Sequence, residues 1–238
     1  MMRRFVAAVA VGIAGCGDPE RGLTSPRDSG AGVTLEDLDG GTAAQPDSGC
    51  PPSRAIAPGE VPKGYLPARK VTLARAVDGD TANFNFPDGG GEQTSRFLYV
   101  NTEESSGADA TDFGVKAKGV VEAYLKAAKE IVVLVREDTA KPGKPDLDPY
   151  NRWLSLVFID GDLFETRLVR EGWSPYYTVF GCAPEPLHSV LLHAEAEANA
   201  SDRGIWASAH PTSYAVTASA WLGRSGCRPN PFLAPYCK

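Results

Sequence analysis

The chain has 238 residues, of which 42% are hydrophobic, and it carries 24 lysines and arginines against 30 aspartates and glutamates, a formal net charge of −6. This length and apolar content suit one or two domains with a substantial core, and they exclude a collagen-like, a wholly disordered or a small disulfide-knot protein. Taken for the whole chain, the negative charge also argues against a broad basic surface for nucleic acid.

The first fifteen residues have the pattern of an export signal. Arg3 and Arg4 precede an uncharged apolar run over residues 5–15, which is too short to span a bilayer. The run ends in Ile-Ala-Gly before Cys16 and resembles the bacterial lipobox, in which the signal is cut before the cysteine and the cysteine is lipidated. We therefore predict a signal peptide over residues 1–15 and lipidation of Cys16. An ordinary cleaved signal with an incidental cysteine is the alternative.

Residues 16–60 form a predicted flexible, acidic linker. From residue 17 to 60 the chain has eight glycines, six prolines and no aromatic residue, so it cannot bury enough apolar surface to offset the entropy of ordering. This stretch has a net charge of −5 and the signal has +2. Residues 61–238 hold 19 basic and 22 acidic residues, a net charge of −3, so most of the acidity lies outside the predicted folded part.

The cysteine content fits an exported protein. Once Cys16 is assigned to lipid, four cysteines remain: Cys50, Cys182, Cys227 and Cys237. An even number in an exported chain predicts two disulfides, with three possible pairings. A zinc site is the competing use, but the chain has no CxxC motif, and His188 and His193 are five residues apart and fall on different helix faces. We therefore discount zinc.

Beyond the linker, hydrophobic patterns predict strands and helices. Apolar and polar residues roughly alternate in the first part, and short apolar runs bounded by turn residues follow. The predicted strands lie within residues 70–86, 96–100, 131–135 and 153–159. The predicted helices are residues 111–129, 163–172 and 186–202. Because strands come first, with one helix inserted before further strands and helices, we expect an α+β barrel rather than parallel βαβ units.

Three short clusters gather charged and oxygen-bearing side chains: residues 77–81 (VDGDT), 96–104 (RFLYVNTEE) and 148–152 (DPYNR). Carboxylate oxygens suit a hard cation such as calcium, and two arginine forks suit a phosphate or its pentacovalent transition state. A carboxylate beside both could take a proton from water. Together these are the parts of metal-assisted phosphodiester hydrolysis. Taken singly, each cluster has an ordinary alternative: a turn, an ion pair or a solvated loop.

The order and spacing of these clusters resemble the staphylococcal nuclease (thermonuclease) family. The similar motifs are, in chain order, VDGDT, R-x4-N-T-x-E, D-x-Y-x-R, LVREGW and RGIW. The resemblance runs from about Val71 to Ala207 and implies an α+β fold with an OB-type five-stranded β-barrel and about three helices. We therefore predict a nuclease-like barrel domain over residues 61–210 and a cysteine-containing C-terminal extension over residues 211–238. It also implies a calcium-dependent endonuclease that cuts DNA and RNA with little sequence preference and leaves 3′-phosphate ends.

The resemblance further implies a calcium site. Asp80 matches the first calcium carboxylate of the family, Asn101 occupies the position of the second, and Thr102 matches the residue that offers its backbone carbonyl. The family has aspartate at the position of Asn101 and proline at that of Glu103. An asparagine still offers a carbonyl oxygen, but one ligand charge is lost, so we expect weaker calcium binding. Glu103 is a candidate for restoring that charge.

The resemblance also implies which residues act on the substrate. Arg96 and Arg152 match the two arginines that bind the scissile phosphate. Glu104 matches the glutamate that activates or orients the attacking water. Tyr150 resembles an aromatic residue that borders the nucleotide.

Two classes of function remain open at this point. The first is a monomeric, exported nuclease that acts on DNA and RNA, with single strands preferred, and that is held on the bacterial cell envelope by lipid or is secreted. The second is a nuclease-like barrel that binds nucleic acid or protein without efficient catalysis. Asn101 and the net charge of −3 over residues 61–238 motivate the second class.

Overall fold

Within residues 54–210, the part of the chain that the computed structural model describes, six strands form one sheet. In chain order they are β1 (Arg69–Asp78), β2 (Thr81–Phe86), β3 (Gly91–Phe97), β4 (Ile131–Val135), β5 (Trp153–Ile159) and β6 (Asp162–Leu163). Paired strands run antiparallel except for β3 and β5, which are parallel and whose pairing closes the first five strands into a barrel. β6 is a short extension that pairs with β5.

Three α-helices belong to the same described range: α1 (Asp112–Ala127), α2 (Phe164–Arg170) and α3 (Leu187–Ala200). α1 begins after Thr111, whose hydroxyl oxygen accepts a hydrogen bond from the Gly114 N–H and caps the helix. Its buried residues recur every three or four positions, and it packs against β1. α2 packs against β5 and α3. The closed five-stranded barrel with three helices confirms the predicted α+β, OB-type fold.

Apolar side chains fill the space inside the barrel and beneath the helices. β4 is buried at all five positions, and it pairs with β1 on one side and β5 on the other. Phe97, at the end of β3, lies near Phe84 of β2 and meets Phe164 of α2 edge-on, with ring centroids 6.3 Å and 6.2 Å away. Phe97 therefore links the barrel core to the helical layer.

One strand differs from its prediction. We expected a strand over residues 96–100, whereas β3 spans Gly91–Phe97, and the next residues form a turn in which Tyr99 has a left-handed φ of 67°. Residues 92–95 are polar, yet they form a strand because they pair with β2. The apolar residues 98–100 are buried in the turn instead.

The packed domain includes residues upstream of position 61. Ile56, which we assigned from the sequence to the linker, is completely buried. Its N–H donates to Asp162 Oδ1 at 3.1 Å, and its carbonyl accepts from the Leu163 N–H at 3.0 Å. These two bonds attach the segment to β6.

Several predictions for the two chain ends fall outside the described residues. They are the signal peptide over residues 1–15, lipidation of Cys16, most of the linker and the extension over residues 211–238. Cys182 is described and is disulfide-bonded. Among the described residues, no helix combines the length and the apolar content needed to span a bilayer.

A carboxyl group is completely buried where α2 meets β5. Glu165 accepts hydrogen bonds from the Val157 N–H at 3.0 Å and 3.3 Å through its two oxygens. Burial raises the pKa of Glu165 well above its usual value, against the opposing effect of the backbone hydrogen bonds. The folded protein therefore holds this proton more tightly than the unfolded chain does.

Replacing Glu165 by glutamine is expected to flatten the pH dependence of stability. The pKa of Glu165 is higher in the folded state than in the unfolded state. Its contribution to stability is therefore fully present below the unfolded-state pKa and decreases as the pH rises towards the folded-state pKa. We therefore expect the free energy of unfolding in urea to decrease for the wild-type protein relative to Glu165→Gln as the pH rises from about 5 to about 8. Glu122→Gln, on the surface of α1, controls for the loss of one negative charge. Parallel pH profiles of wild type and Glu165→Gln would contradict this expectation.

Candidate active site

A buried ion pair joins the turn after β1 to the end of β3. Asp80 Oδ2 lies 3.0 Å from Arg96 Nη2, and both side chains are almost entirely excluded from solvent. β2 and β3 pair so that Thr81 stands opposite Arg96, which brings the two segments together. The Thr81 hydroxyl and the Thr102 N–H donate to the two Asp80 oxygens at 2.8 Å and 3.2 Å. The Asp80 carboxylate thus has three partners, the Arg96 guanidinium, the Thr81 hydroxyl and the Thr102 N–H.

The loop after β3 surrounds the Arg96 guanidinium group. Arg96 Nη1 donates to the carbonyl oxygens of Phe97 and Val100, both at 2.8 Å, and Nη2 donates to Asn101 Oδ1 at 2.7 Å. The left-handed backbone of Tyr99 reverses the chain so that these acceptors face the same guanidinium group. Both terminal nitrogens of Arg96 therefore have partners.

The second predicted arginine reaches the same end of the barrel. Arg152 Nη1 donates to Thr81 Oγ1 at 3.2 Å, and Thr81 in turn donates to Asp80. Arg152 Nε lies 2.6 Å from Oδ2 of the buried Asp148, whose Oδ1 accepts the N–H groups of Tyr150 and Arg152. Thr81 and Asp148 stand inside the motifs that we recognised in the sequence, but we gave neither side chain a role there. Their contacts show that they connect and orient Arg152.

Glu104 lies beside the two aspartates of the VDGDT motif. Partial burial of its carboxyl group raises the pKa of Glu104, as do the charge of Asp78, a hydrogen bond with Asp78 and the charge of Asp80, whereas Arg96 opposes the shift. Three carboxyl groups from two segments are therefore close enough to interact. The proximity of three ionised carboxyl groups is unfavourable, and the positive charge of Arg96 offsets part of this repulsion.

The donors at this place fit a hard cation. Asp78, Asp80 and Glu104 offer carboxylate oxygens, and a cation would relieve their mutual repulsion. Thr102 Oγ1 is buried without a hydrogen-bond partner, and a Cβ on Gly79 would lie 2.6 Å from it, so only glycine allows this close approach. Within residues 54–210, however, no three His, Cys, Asp or Glu side chains are already arranged as a metal site.

Glu103 does not replace the missing charge, and our expectation for it is wrong. Its side chain is buried and accepts a hydrogen bond from the Thr111 hydroxyl, while its other oxygen lies 2.6 Å from His210 Nε2. Both oxygens of Glu103 are therefore engaged by Thr111 and His210. Because Asn101 stands where the similar family has aspartate, the predicted calcium ligands carry one negative charge fewer than in that family.

Aromatic rings flank both arginines. Tyr150 is 77% exposed, and the Arg152 guanidinium carbon lies 5.2 Å from the centre of its ring. The ring centres of Tyr177 and Phe180 lie 5.9 Å and 6.0 Å from the guanidinium carbon of Arg96. Aromatic side chains next to cationic groups are a general arrangement for stacking bases beside bound phosphates.

Alanine at position 114 is expected to disturb the backbone that carries Glu104. A Cβ on Gly114 would lie 2.1 Å from the Glu104 carbonyl oxygen. Although alanine favours a helix over glycine by about 1 kcal/mol, the collision should lower the free energy of unfolding of Gly114→Ala by about 1–3 kcal/mol. Chemical denaturation measures this change. Unchanged or increased stability would mean that α1 does not press on this loop.

The chain is similar to proteins whose names describe nucleases. Residues 94–208 match a family model described as "Staphylococcal nuclease homologue", which begins within β3 and leaves Asp80 upstream of the match. "Endonuclease YhcR" of Bacillus subtilis (strain 168) is 29% identical over 140 residues, covering 56% of this chain and 11% of the relative. "Endonuclease YncB" of the same organism is also 29% identical over 140 residues, covering 57% of this chain and 61% of the relative.

The chain thus matches less than two thirds of the length of either relative. The family model covers β3 to the region after α3, which includes Arg96, Glu104 and Arg152. The chain is thus similar to staphylococcal nuclease homologues over residues 94–208, and the closed five-stranded barrel agrees with that similarity.

Proposed function

We propose that this protein is a calcium-dependent phosphodiesterase, an endonuclease that cleaves DNA and RNA with little sequence preference and leaves 3′-phosphate ends. The observation that carries the proposal is the meeting of Arg96, Arg152 and Asp80 at one end of the barrel, with Glu104 beside Asp80. These residues come from separate segments and combine phosphate-binding cations with a candidate base. The names of the two relatives agree with this reaction class.

Each residue has a distinct proposed role. Arg96 and Arg152 bind the scissile phosphate and stabilise the charge that develops in its pentacovalent transition state. Glu104 orients the attacking water and takes its proton, for which a raised carboxyl pKa is suited. Tyr150 borders the nucleotide next to Arg152.

The proposed calcium ligands are Asp80, the side-chain oxygen of Asn101 and the backbone carbonyl of Thr102. Bound calcium would supply positive charge to polarise the phosphate. In the structure, Asp80 and Asn101 both contact Arg96 Nη2, so the metal-binding oxygens and the phosphate-binding arginine share contacts.

Cleavage of denatured DNA by the purified protein tests this function. We expect cleavage with calcium, none after chelation, and products whose 3′ ends carry phosphate. Glu104→Gln should lower kcat by about 10²–10⁴-fold because the proton acceptor is lost. Glu122→Gln on α1 is the control for the same chemical change on the surface. A folded wild-type protein that does not cleave with calcium would refute the enzyme function.

Restoring the family's aspartate at position 101 is expected to tighten calcium binding. Asn101→Asp adds a negative charge beside Asp80, and the charge count of a site tunes its calcium affinity. We expect an increase on the order of tenfold, equivalent to about 1.4 kcal/mol, measured from the calcium dependence of thermal unfolding. Asn85→Asp, at an exposed position of β2, controls for the added charge. An unchanged or weaker calcium requirement would remove Asn101 from the proposed site.

The alternative function is a nuclease-like barrel that binds nucleic acid or protein. It is favoured by Asn101 and by the lack, among the described residues, of a preassembled metal site. Binding of single-stranded DNA without turnover, unaffected by Glu104→Gln, would support it.

The substrate and location that we propose follow from charge and sequence pattern. Because residues 61–238 carry a net charge of −3, binding of DNA or RNA rests on the local arginines, and single strands can also use the flanking rings. The lipobox-like pattern at Cys16 favours export to the bacterial cell envelope and anchoring there by lipid.

A further inference from the structure

A buried carboxylate stands between two residues of the proposed calcium site. Glu103 lies between Thr102 and Glu104 in the loop that joins β3 to α1, and its side chain is only 5% exposed. One oxygen accepts a hydrogen bond from the Thr111 hydroxyl at the start of α1. The other lies 2.6 Å from Nε2 of His210, a residue 107 positions away in the chain. This contact ties the loop to the far end of the described domain.

His210 is itself held firmly in place. Its ring meets Phe113 edge-on at 4.7 Å between centroids, and Phe113 packs on Trp173 at 5.0 Å. The backbone N–H of His210 donates to the Ala207 carbonyl at 2.8 Å. Because a buried carboxylate without hydrogen-bond partners is strongly unfavourable, the orientation of Glu103 depends on His210 and Thr111.

The backbone next to Glu103 transmits this constraint to the site. The Thr102 N–H donates to Asp80, and the Glu104 carbonyl accepts from the Thr111 N–H at 3.0 Å. While Glu103 contacts α1 and His210, the side chain of Glu104 contacts Asp78. Fixing Glu103 therefore limits where the Thr102 carbonyl and the Glu104 carboxyl can lie.

We propose that His210 is a positioning residue, which by hydrogen-bonding Glu103 fixes the loop from which Thr102 and Glu104 reach the calcium and the attacking water. This role rests on the proposed function, and it adds a residue from outside all three motif clusters. Partners that orient metal ligands and catalytic groups from behind typically change activity or metal affinity by about 10- to 100-fold when they are removed.

Two substitutions of His210 separate its hydrogen bond from its packing. His210→Phe keeps a ring against Phe113 but cannot donate to Glu103, whereas His210→Gln retains a donor. With calcium and denatured DNA, we expect His210→Phe to lower kcat by about 10- to 100-fold with KM little changed, since Arg96 is held by Asp80 and by residues 97–101, and Arg152 by Asp148 and Thr81. His210→Gln should recover most of the loss. His193→Phe, at a histidine of α3 whose Nε2 has no hydrogen-bond partner, is the matched control.

A double variant tests whether His210 acts through Glu104. If it does, Glu104→Gln combined with His210→Phe should be no slower than Glu104→Gln alone, because the group being positioned has already lost its function. Losses that multiply, or an unchanged kcat in folded His210→Phe, would overturn the proposal.

Hydrogen exchange gives a readout that does not require cleavage. In His210→Phe, the amides of Thr102 and Thr111 should exchange faster, while those of β4 stay protected. His210→Gln and His193→Phe should resemble the wild-type protein. Unchanged exchange in the loop, or faster exchange that extends through β4, would contradict a positioning role. Failure of the wild-type protein to cleave would refute the nuclease function, and the exchange comparison would still decide the role of His210.

Discussion

The arrangement of the site depends on the buried ion pair between Asp80 and Arg96. Removing one partner of such a pair typically costs about 3–5 kcal/mol, because the remaining charge is left uncompensated in the protein interior. Here the pair joins the turn after β1 to the end of β3, and the following loop surrounds the same guanidinium group through the carbonyls of Phe97 and Val100. A turn, a strand and a loop are thereby held in one geometry.

Closure of the barrel adds the second arginine to this geometry. The parallel pairing of β3 with β5 aligns Arg96 with Leu154, which brings the segment containing Arg152 to the same end of the sheet. Thr81 then connects Arg152 to Asp80. Arg96 is therefore placed by strand pairing, which gives a more precise position than a loop, and Arg152 lies directly before β5. Glu104, by contrast, lies on a loop and requires support from α1 and from Glu103.

Local patterns predicted the elements that are governed by local burial. β4 reads as a short apolar run because both of its faces are buried, and α1 shows the spacing of a helix with one buried face. β3 was misplaced because its strand character comes from pairing with β2, not from its own polar residues. The motifs identified the candidate site residues, but not the direction of the Glu103 side chain. That direction is set by His210, and no local pattern reports a contact between residues 107 positions apart.

The occupied guanidinium group of Arg96 has a consequence for selectivity. Two backbone carbonyls hold Nη1, and Asp80 and Asn101 hold Nη2. An incoming oxygen can therefore reach Nη2 only by exchange with an acceptor that is already there. In exchange with Asn101, a neutral acceptor only replaces another neutral acceptor, whereas an anionic oxygen places a second negative charge on the guanidinium group. The resting contacts of Arg96 thus favour exchange with a phosphate oxygen over exchange with a hydroxyl or a carbonyl oxygen.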